Sequence, residues 1–541
     1  MTPLCRPRAP SPLGRLSLAV FASVAAGCFN PSNSVAGGDT DEPTSASDGS
    51  TADSPDSDGT STGPAETTIS SNTTTSADTT DESESGGPAV CGNGMQESGE
   101  ECDDGDRINT NDCTNACDLA ACGDGILHEG VEECEDGNAD SRDGCDAVCT
   151  VETQLFAGPY HTCALKDGAL RCWGPNEDGR LGYDSPQDVG DNESPASAGD
   201  VPVGGTVVDV SIGWYATCAL LNSGTVRCWG GNPFGQLGID SIAGVSSADD
   251  AIDATVGAAV SSISAYGGQN CATLEAGPPR CWGFNASGQL GVDSTVAVSD
   301  GTGPTIAMSP LQIGVVVEQI ATGGTFSCAI VAGGGVRCWG SGENGRLGYG
   351  NEASVSTSNT NTLSRVGDID MGGDVVFIDS GESHTCALLE GGVVRCWGDG
   401  GSGELGYGNA QNVGDDETPA AAGDVHVGGT VVQLSVGSGH TCAVLEEGSV
   451  RCWGDADDGE LGYGTAVTDP LATPETNGDV PVGGNVTHVV AGADHTCARL
   501  EGDIIRCWGR NSGGELGYGH TVNVGSTPGN LPEDAGDVDV F

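Results

Sequence analysis

The sequence predicts an all-β fold made of seven copies of one unit, either a β-propeller or another array of supersecondary units. Three observations carry this. A Cys followed by seven or eight residues and then Arg-Cys-Trp-Gly occurs seven times, the second half at 171–174, 227–230, 280–283, 337–340, 395–398, 451–454 and 506–509. The seven tryptophans stand 56, 53, 57, 58, 56 and 55 residues apart, a period near fifty that marks repeat architectures. Glycine supplies 90 of 541 residues and aromatics only 4%, a composition suited to many tight turns and a core of Val, Ile, Leu, Ala and the recurring Trp.

Each unit contains a hairpin. In the first, Asp167-Gly168 is a two-residue turn signal that sets Leu165 opposite Leu170 and Cys163 opposite Cys172. The other six units carry one more residue in the turn, as in Glu390-Gly391-Gly392, which keeps Cys386 opposite Cys396. Directly opposed strand residues come close enough for a disulfide. The predicted pairs are Cys163–Cys172, Cys218–Cys228, Cys271–Cys281, Cys328–Cys338, Cys386–Cys396, Cys442–Cys452 and Cys497–Cys507. Small buried thiols are the competing reading.

Before most hairpins lies a β-branched strand ending in Gly, such as Val431 to Gly437. After each comes a turn: Gly179-Arg-Leu-Gly182, Gly-Gln-Leu-Gly at 235 and 288, Gly-Arg-Leu-Gly at 345, and Gly-Glu-Leu-Gly at 403, 459 and 514. The whole unit, as in 431–464, resembles the regulator of chromosome condensation repeat, and the resemblance covers 151–541. It implies a seven-bladed β-propeller. The last residues, Gly536-Asp537-Val538-Asp539-Val540, match Gly478-Asp479-Val480-Pro481-Val482 ahead of the last unit, which places the end of the array on a repeat boundary.

The repeated residues read as framework. Gly turns the chain and Trp packs blade against blade. The Arg before each second Cys lies on the Trp face of its strand, able to lay its stem on the ring or to bond carbonyls and acids of the next blade. Four units carry a His two residues before the first Cys: His161, His384, His440 and His495. The other three carry Ala216, Gln269 and Phe326. Equivalent positions on separate blades stand too far apart for one metal, and the resemblance makes this His structural.

Ahead of the array the composition changes three times. Residues 1–28 hold Arg6, Arg8 and Arg15, an apolar run from Leu16 to Ala26, and Ala25-Ala26-Gly27-Cys28. This resembles a bacterial lipoprotein signal, with Cys28 the acylated residue; an ordinary secretory signal is the alternative, and both imply export. Residues 29–90 are Ser, Thr, Asp, Gly and Pro with no apolar period, a disordered linker of about 60 residues spanning some 40–45 Å as a random coil. Residues 91–150 contain two small cysteine-rich repeats that resemble those of secreted myxobacterial proteins. One holds Cys91, Cys102, Cys113 and Cys117, the other Cys122, Cys134, Cys145 and Cys149. Two disulfides per unit are expected, with connectivity open. Asp103, Asp104, Asp106 and Asp136 form a calcium candidate, against which stands the reading of solvated turn carboxylates. Beyond calcium no cofactor is expected.

Formal charge is −60, with one lysine, Lys166. No segment beyond residue 28 is basic, which excludes a phosphate-neutralising nucleic-acid footprint and leaves the lipid anchor as the only membrane attachment. No Gly-x-Ser-x-Gly, P-loop or His-Glu-x-x-His is present, so no catalytic residue is assigned and an enzyme is not expected. The expected function is an exported, lipid-tethered module at the outer membrane or cell surface that binds a protein or glycan through non-repeating loops. The loops singled out are the acidic ones, Asp188 to Asp200, Asp240 to Asp253 and Asp415 to Asp424. Two alternatives stand beside it. Guanine nucleotide exchange is the family's best-known activity, but no exchange residue can be placed by motif. Inhibition of a secreted enzyme follows the example of a similar secreted propeller that blocks β-lactamase. It would need aromatic anchors, for which Trp214, Tyr215, Tyr266 and Phe284 are the non-framework candidates.

Overall fold

The computed structural model describes Cys102 and residues 150–541 apart from 240, 299–307 and 465–471. Cys28, the linker, the calcium candidates and the cysteine-rich repeats lie outside the described residues, save Cys102, which is disulfide-bonded.

Seven sheets follow one another along the chain, each of three strands in sequence order. The first blade is Gln154–Ala157, Thr162–Lys166 and Ala169–Trp173. The sixth is Val431–Val436, His440–Leu445 and Val450–Gly454. The register is the expected one: Leu165 faces Leu170, Cys163 faces Cys172 and Cys386 faces Cys396. All seven cysteine pairs are disulfides, with sulfur–sulfur distances of 2.03 to 2.12 Å. Asp167 and Gly168 both adopt positive φ, 49° and 76°, as the two-residue hairpin turn requires. In the six later blades the first strand carries a bulge at one shared place, for example between Val431 and Gln433, which sharpens its twist.

The first strands of neighbouring blades touch around a closed ring, the first blade meeting the seventh. Blades are joined by their repeated residues. Each recurring Trp is at most 1% exposed. Six of the seven donate the indole N–H to the carbonyl of the variable residue in the Gly-x-Leu-Gly turn of the blade before, as Trp453 does to Glu404 (2.9 Å) and Trp229 to Arg180 (3.0 Å). The Gly after Trp has φ near 110° at position 398, and a Cβ there would lie 2.4 Å from the Ser383 carbonyl. That position tolerates no side chain.

The four histidines are buried and bond across blade seams to threonines. His161 reaches Thr217 (2.7 Å), His384 Thr441 (2.9 Å), His440 Thr496 (2.9 Å), and His495 Thr162 of the first blade (2.8 Å). Gln269 does the same work in the third blade, donating to Ser327 Oγ (3.1 Å) and the Phe326 carbonyl (2.8 Å). Burial lowers the histidine pKa values, to about 3 at His384 and His495 and about 4 at His440, so these rings are neutral hydrogen-bonding framework.

The motif arginines bond acids and carbonyls in the linkers between blades. Arg227 bonds Asp253 in the linker after its blade (2.7 Å) and the Val203 carbonyl in the linker before it (2.8 Å). Arg171, Arg337, Arg395, Arg451 and Arg506 repeat the pattern with Asp200, Asp368, Asp424, Asp479 and Asp537. Each linker is therefore held by the blades on both sides. The exception is Arg280: Pro310 stands where the acid would be, and its Nε has no partner among the described residues.

The seam between the seventh and first blades carries extra bonds. Arg499 pairs with Glu152 at 2.6 Å, both buried, and also donates to Thr487 and the Thr153 carbonyl. Lys166 pairs with Asp503 (2.6 Å), which also accepts from Thr153. Arg171 reaches the Val540 carbonyl (2.5 Å) and lies over the Phe541 ring. The C-terminal segment thus takes, at the first blade, the place that the preceding linker takes at the others.

Candidate binding face

The two ends of the propeller differ in kind. One end holds the hairpin turns and the arginine-clamped linkers, and it repeats from blade to blade. At the other end, two loops from each blade come together: the turn between first and second strands, and the loop after Trp-Gly. They are tied by a backbone bond such as Gly231 N–H to Tyr215 O, Asp399 to Ser383, or Arg510 to Asp494. This second end does not repeat chemically.

On blades one to three it is aromatic. Trp214 and Tyr215 meet edge to face at 6.2 Å, Tyr215 lies 6.3 Å from Phe234, and Phe234 lies 4.9 Å from Phe284. All four are half-buried, and Tyr160, 40% exposed, extends the arc over Arg180. Beneath the arc lie Gln236 and Gln289 of the Gly-x-Leu-Gly turns. Their carbonyl oxygens accept from Phe234 N–H and Ser287 N–H, both at 2.9 Å. Their amide nitrogens, buried, have no acceptor among the described residues.

On blades five to seven the same end is acidic. Asp399, Asp455 and Asp494 occupy the loops, and Asp457 is exposed beside them. The Gly-x-Leu-Gly residue here is Glu404, Glu460 or Glu515, each buried and each accepting a backbone N–H two residues back. Burial is the first cause that raises Glu404 to about 7 and Glu460 to about 8, and the neighbouring Asp455 adds to both. Arg510, paired with Asp494 at 3.1 Å, is the cation of this half.

Tyr266 joins the halves. It ends the first strand of blade three, is buried, and places its hydroxyl 2.6 Å from Ser438 Oγ of blade six. Glu382 and Asp494 bear on the same hydroxyl. The Tyr266 side chain therefore crosses the axis of the ring.

Of the aromatic residues singled out by sequence, Trp214, Tyr215 and Phe284 are gathered in one arc, while Tyr266 fills the channel. Phe234 completes the arc and was missed. Its signal was available, since it sits at the position taken by Asp178, Ser287, Asn344, Ser402, Asp458 and Gly513 in the other blades. The acidic loops take a different place from the expected one. Their closing acids, Asp200, Asp253 and Asp424, are spent on motif arginines, and Gly190 and Gly414 pack directly against the backbone of a neighbouring blade. Asp415, Asp416 and Glu417 of the third such loop bring carboxylates within 4.8 Å of one another.

Five stretches of the chain, 207–236, 317–346, 375–404, 431–460 and 486–515, match the model of the regulator of chromosome condensation (RCC1) repeat, and 447–499 matches a second model of that repeat. The chain is similar to human E3 ubiquitin-protein ligase HERC2, 28% identical over 56% of this chain and 6% of that one. It is also similar to the ultraviolet-B receptor UVR8 of Arabidopsis thaliana, 34% identical over 37% and 43% of the two chains. The chain thus spans less than half the length of these two relatives. Among solved structures, yeast RCC1 (Prp20), crystallised bound to Kap60, superposes with a TM-score of 0.54 at 19% identity, covering 72% of this chain and 84% of that one. Human WBSCR16 gives a TM-score of 0.54 at 18% identity over 68% and 92%. These likenesses establish the propeller fold.

Proposed function

We propose that the chain is a binding propeller rather than an enzyme, exported and held at the cell envelope by a lipid on Cys28, and that it engages a protein ligand through the end carrying Trp214 and Asp455. The single observation that supports this is the break in symmetry. Disulfides, tryptophan–carbonyl bonds, seam hydrogen bonds and arginine clamps recur round the ring, yet this one end changes from aromatic to acidic across Tyr266. Binding surfaces on repeat scaffolds sit where the framework does not dictate the residue. A structural neighbour, yeast RCC1, was crystallised bound to Kap60, which favours a protein over a glycan here. A glycan stacked on the aromatic arc, inhibition of a secreted enzyme and nucleotide exchange are the rival readings.

The test places a photo-crosslinking residue at position 214 and, as a control on the opposite end, at Ser223 in an exposed hairpin turn. A single envelope protein crosslinked from 214 and not from 223 is the expected result; equal labelling from both would remove the reading. Palmitate labelling abolished by Cys28→Ser tests the anchor.

A further inference from the structure

We propose that the partner of this face is an extended peptide segment carrying Lys or Arg next to a large apolar side chain, laid across the channel mouth from blades two and three to blades five to seven. This rests on the reading of that end as the binding face and specifies its ligand.

Three features of the face select that chemistry. The aromatic arc of Trp214, Tyr215, Phe234 and Phe284 offers half-buried rings in mutual contact, a seat for an apolar or aromatic side chain. Under it, the Gln236 and Gln289 amide nitrogens are donors that the chain itself does not use. Buried donors without acceptors are costly, and peptide carbonyls are acceptors that an extended segment supplies in series. Across Tyr266 the chemistry inverts. Glu382, Asp399, Asp455, Asp457 and Asp494 present acceptors and negative charge, with Arg510 the one half-exposed cation among them. An anionic ligand would meet repulsion there, and a cation would be drawn in.

The change of residue type across the face is repeated in the framework beneath it. One position, the variable residue of Gly-x-Leu-Gly, reads Arg180, Gln236, Gln289, Arg346, Glu404, Glu460 and Glu515 round the ring. All seven are buried. Glu404 and Glu460 hold the local backbone by the same bond that Gln236 and Gln289 make. The packing therefore accepts a neutral amide, and carboxylates stand in three consecutive blades. The same geometry argues against a second copy of this chain as the occupant, because two such faces would set acid against acid.

The experiment pans phage-displayed random dodecapeptides against the full chain at physiological ionic strength and measures the affinity of synthetic versions of the enriched peptides. Binding is repeated with Asp455→Asn/Asp457→Asn/Asp494→Asn, with Trp214→Ser/Phe234→Ser, and with Glu390→Gln/Glu446→Gln/Glu447→Gln, the last removing the same charge from hairpin turns at the opposite end. Enriched peptides should combine Lys or Arg with Phe, Trp or Leu. Either set of face variants should weaken them by about tenfold or more, while the opposite-end variant leaves them within about twofold. Peptides that need the face but are acidic or uncharged would overturn this inference and leave the binding-face reading standing. Peptides weakened equally by the opposite-end variant would show nonspecific attraction to an acidic protein and overturn it too. No saturable peptide, or a dimer in sedimentation that the face variants abolish, would overturn the inference; crosslinking from position 214 then decides the broader reading by itself.

Discussion

The hydroxyl of Tyr266, in the third blade, bonds Ser438 Oγ of the sixth at 2.6 Å, so one side chain spans the axis of the propeller. The position five residues before the first cysteine of the pair is glycine in every other blade, Gly158, Gly213, Gly323, Gly381, Gly437 and Gly492, so Tyr266 alone puts a side chain there. Tyr266→Phe should cost about 1 kcal/mol, the net worth of one hydrogen bond, and Tyr266→Ala about 3–5 kcal/mol, because it also opens a void on the axis. Chemical denaturation of the three proteins checks this. Equal stability of Tyr266→Phe and Tyr266→Ala would show that the ring contributes nothing to packing.

The seam between the last and first blades depends on Arg499 and Glu152, buried and 2.6 Å apart. Removing one partner strands a buried charge, so Arg499→Met should destabilise by about 3–5 kcal/mol. Arg499→Met with Glu152→Met should regain most of that loss. Hydrogen exchange read by mass spectrometry should show Arg499→Met opening first in blades one and seven, because the ring is held there without covalent continuity. Uniform opening of all seven blades would show that the seam is not the weak joint.

The propeller was legible because its signals were local and repeated: a turn pair at Asp167-Gly168, opposed cysteines, and a Trp at a constant period. What the repeat contacts was less so. The histidine partners lie in the next blade, 56 residues away for His161 and Thr217, and no local pattern announces them. Gln269 looked like an exception to the histidine rule, yet it reaches across the same seam with an amide. The acidic loops showed in the sequence as surface charge, but the pairing of Asp200 with Arg171 and of Asp253 with Arg227 needs the fold to appear. The binding face was half legible. Trp214, Tyr215 and Phe284 stood out as unrepeated, but only folding brings Phe234 to them and turns Tyr266 away into the channel.

Each disulfide closes a hairpin of nine or ten residues. Replacing Cys442 and Cys452 by Ala should therefore cost roughly 2–3 kcal/mol on chain entropy. The effect should be of similar size in any single blade, since Cys442 and its six equivalents are all buried in matching registers. Denaturation of single-blade variants checks it. Costs that differ by more than about 2 kcal/mol between blades would mean that packing, not loop closure, sets the contribution.

Stability should rise as pH falls from 8 to about 7. Burial raises Asp209, Asp379 and Glu404 to about 7 and Glu460 to about 8 in the folded chain, well above the ordinary carboxylate range of the unfolded one. A group whose folded pKa is raised favours folding fully below its unfolded pKa, and that contribution is lost as pH rises through the folded value. The buried histidines work the other way. His384, His488 and His495 are lowered to about 3 and His440 to about 4, so their contribution is complete about one pH unit above the unfolded value of about 6.5 and is lost as acid titrates the unfolded rings. Between 8 and about 7 the carboxylates dominate; below that the two sets oppose, and the melting temperature should pass through a maximum. Glu404→Gln with Glu460→Gln, which imitates Gln236 and Gln289, should raise the melting temperature at pH 8 and flatten the rise toward about 7. A double variant with the unaltered slope would mean that these two carboxyls are ionised in the folded protein, and that the acidic half of the face carries its full charge at neutral pH.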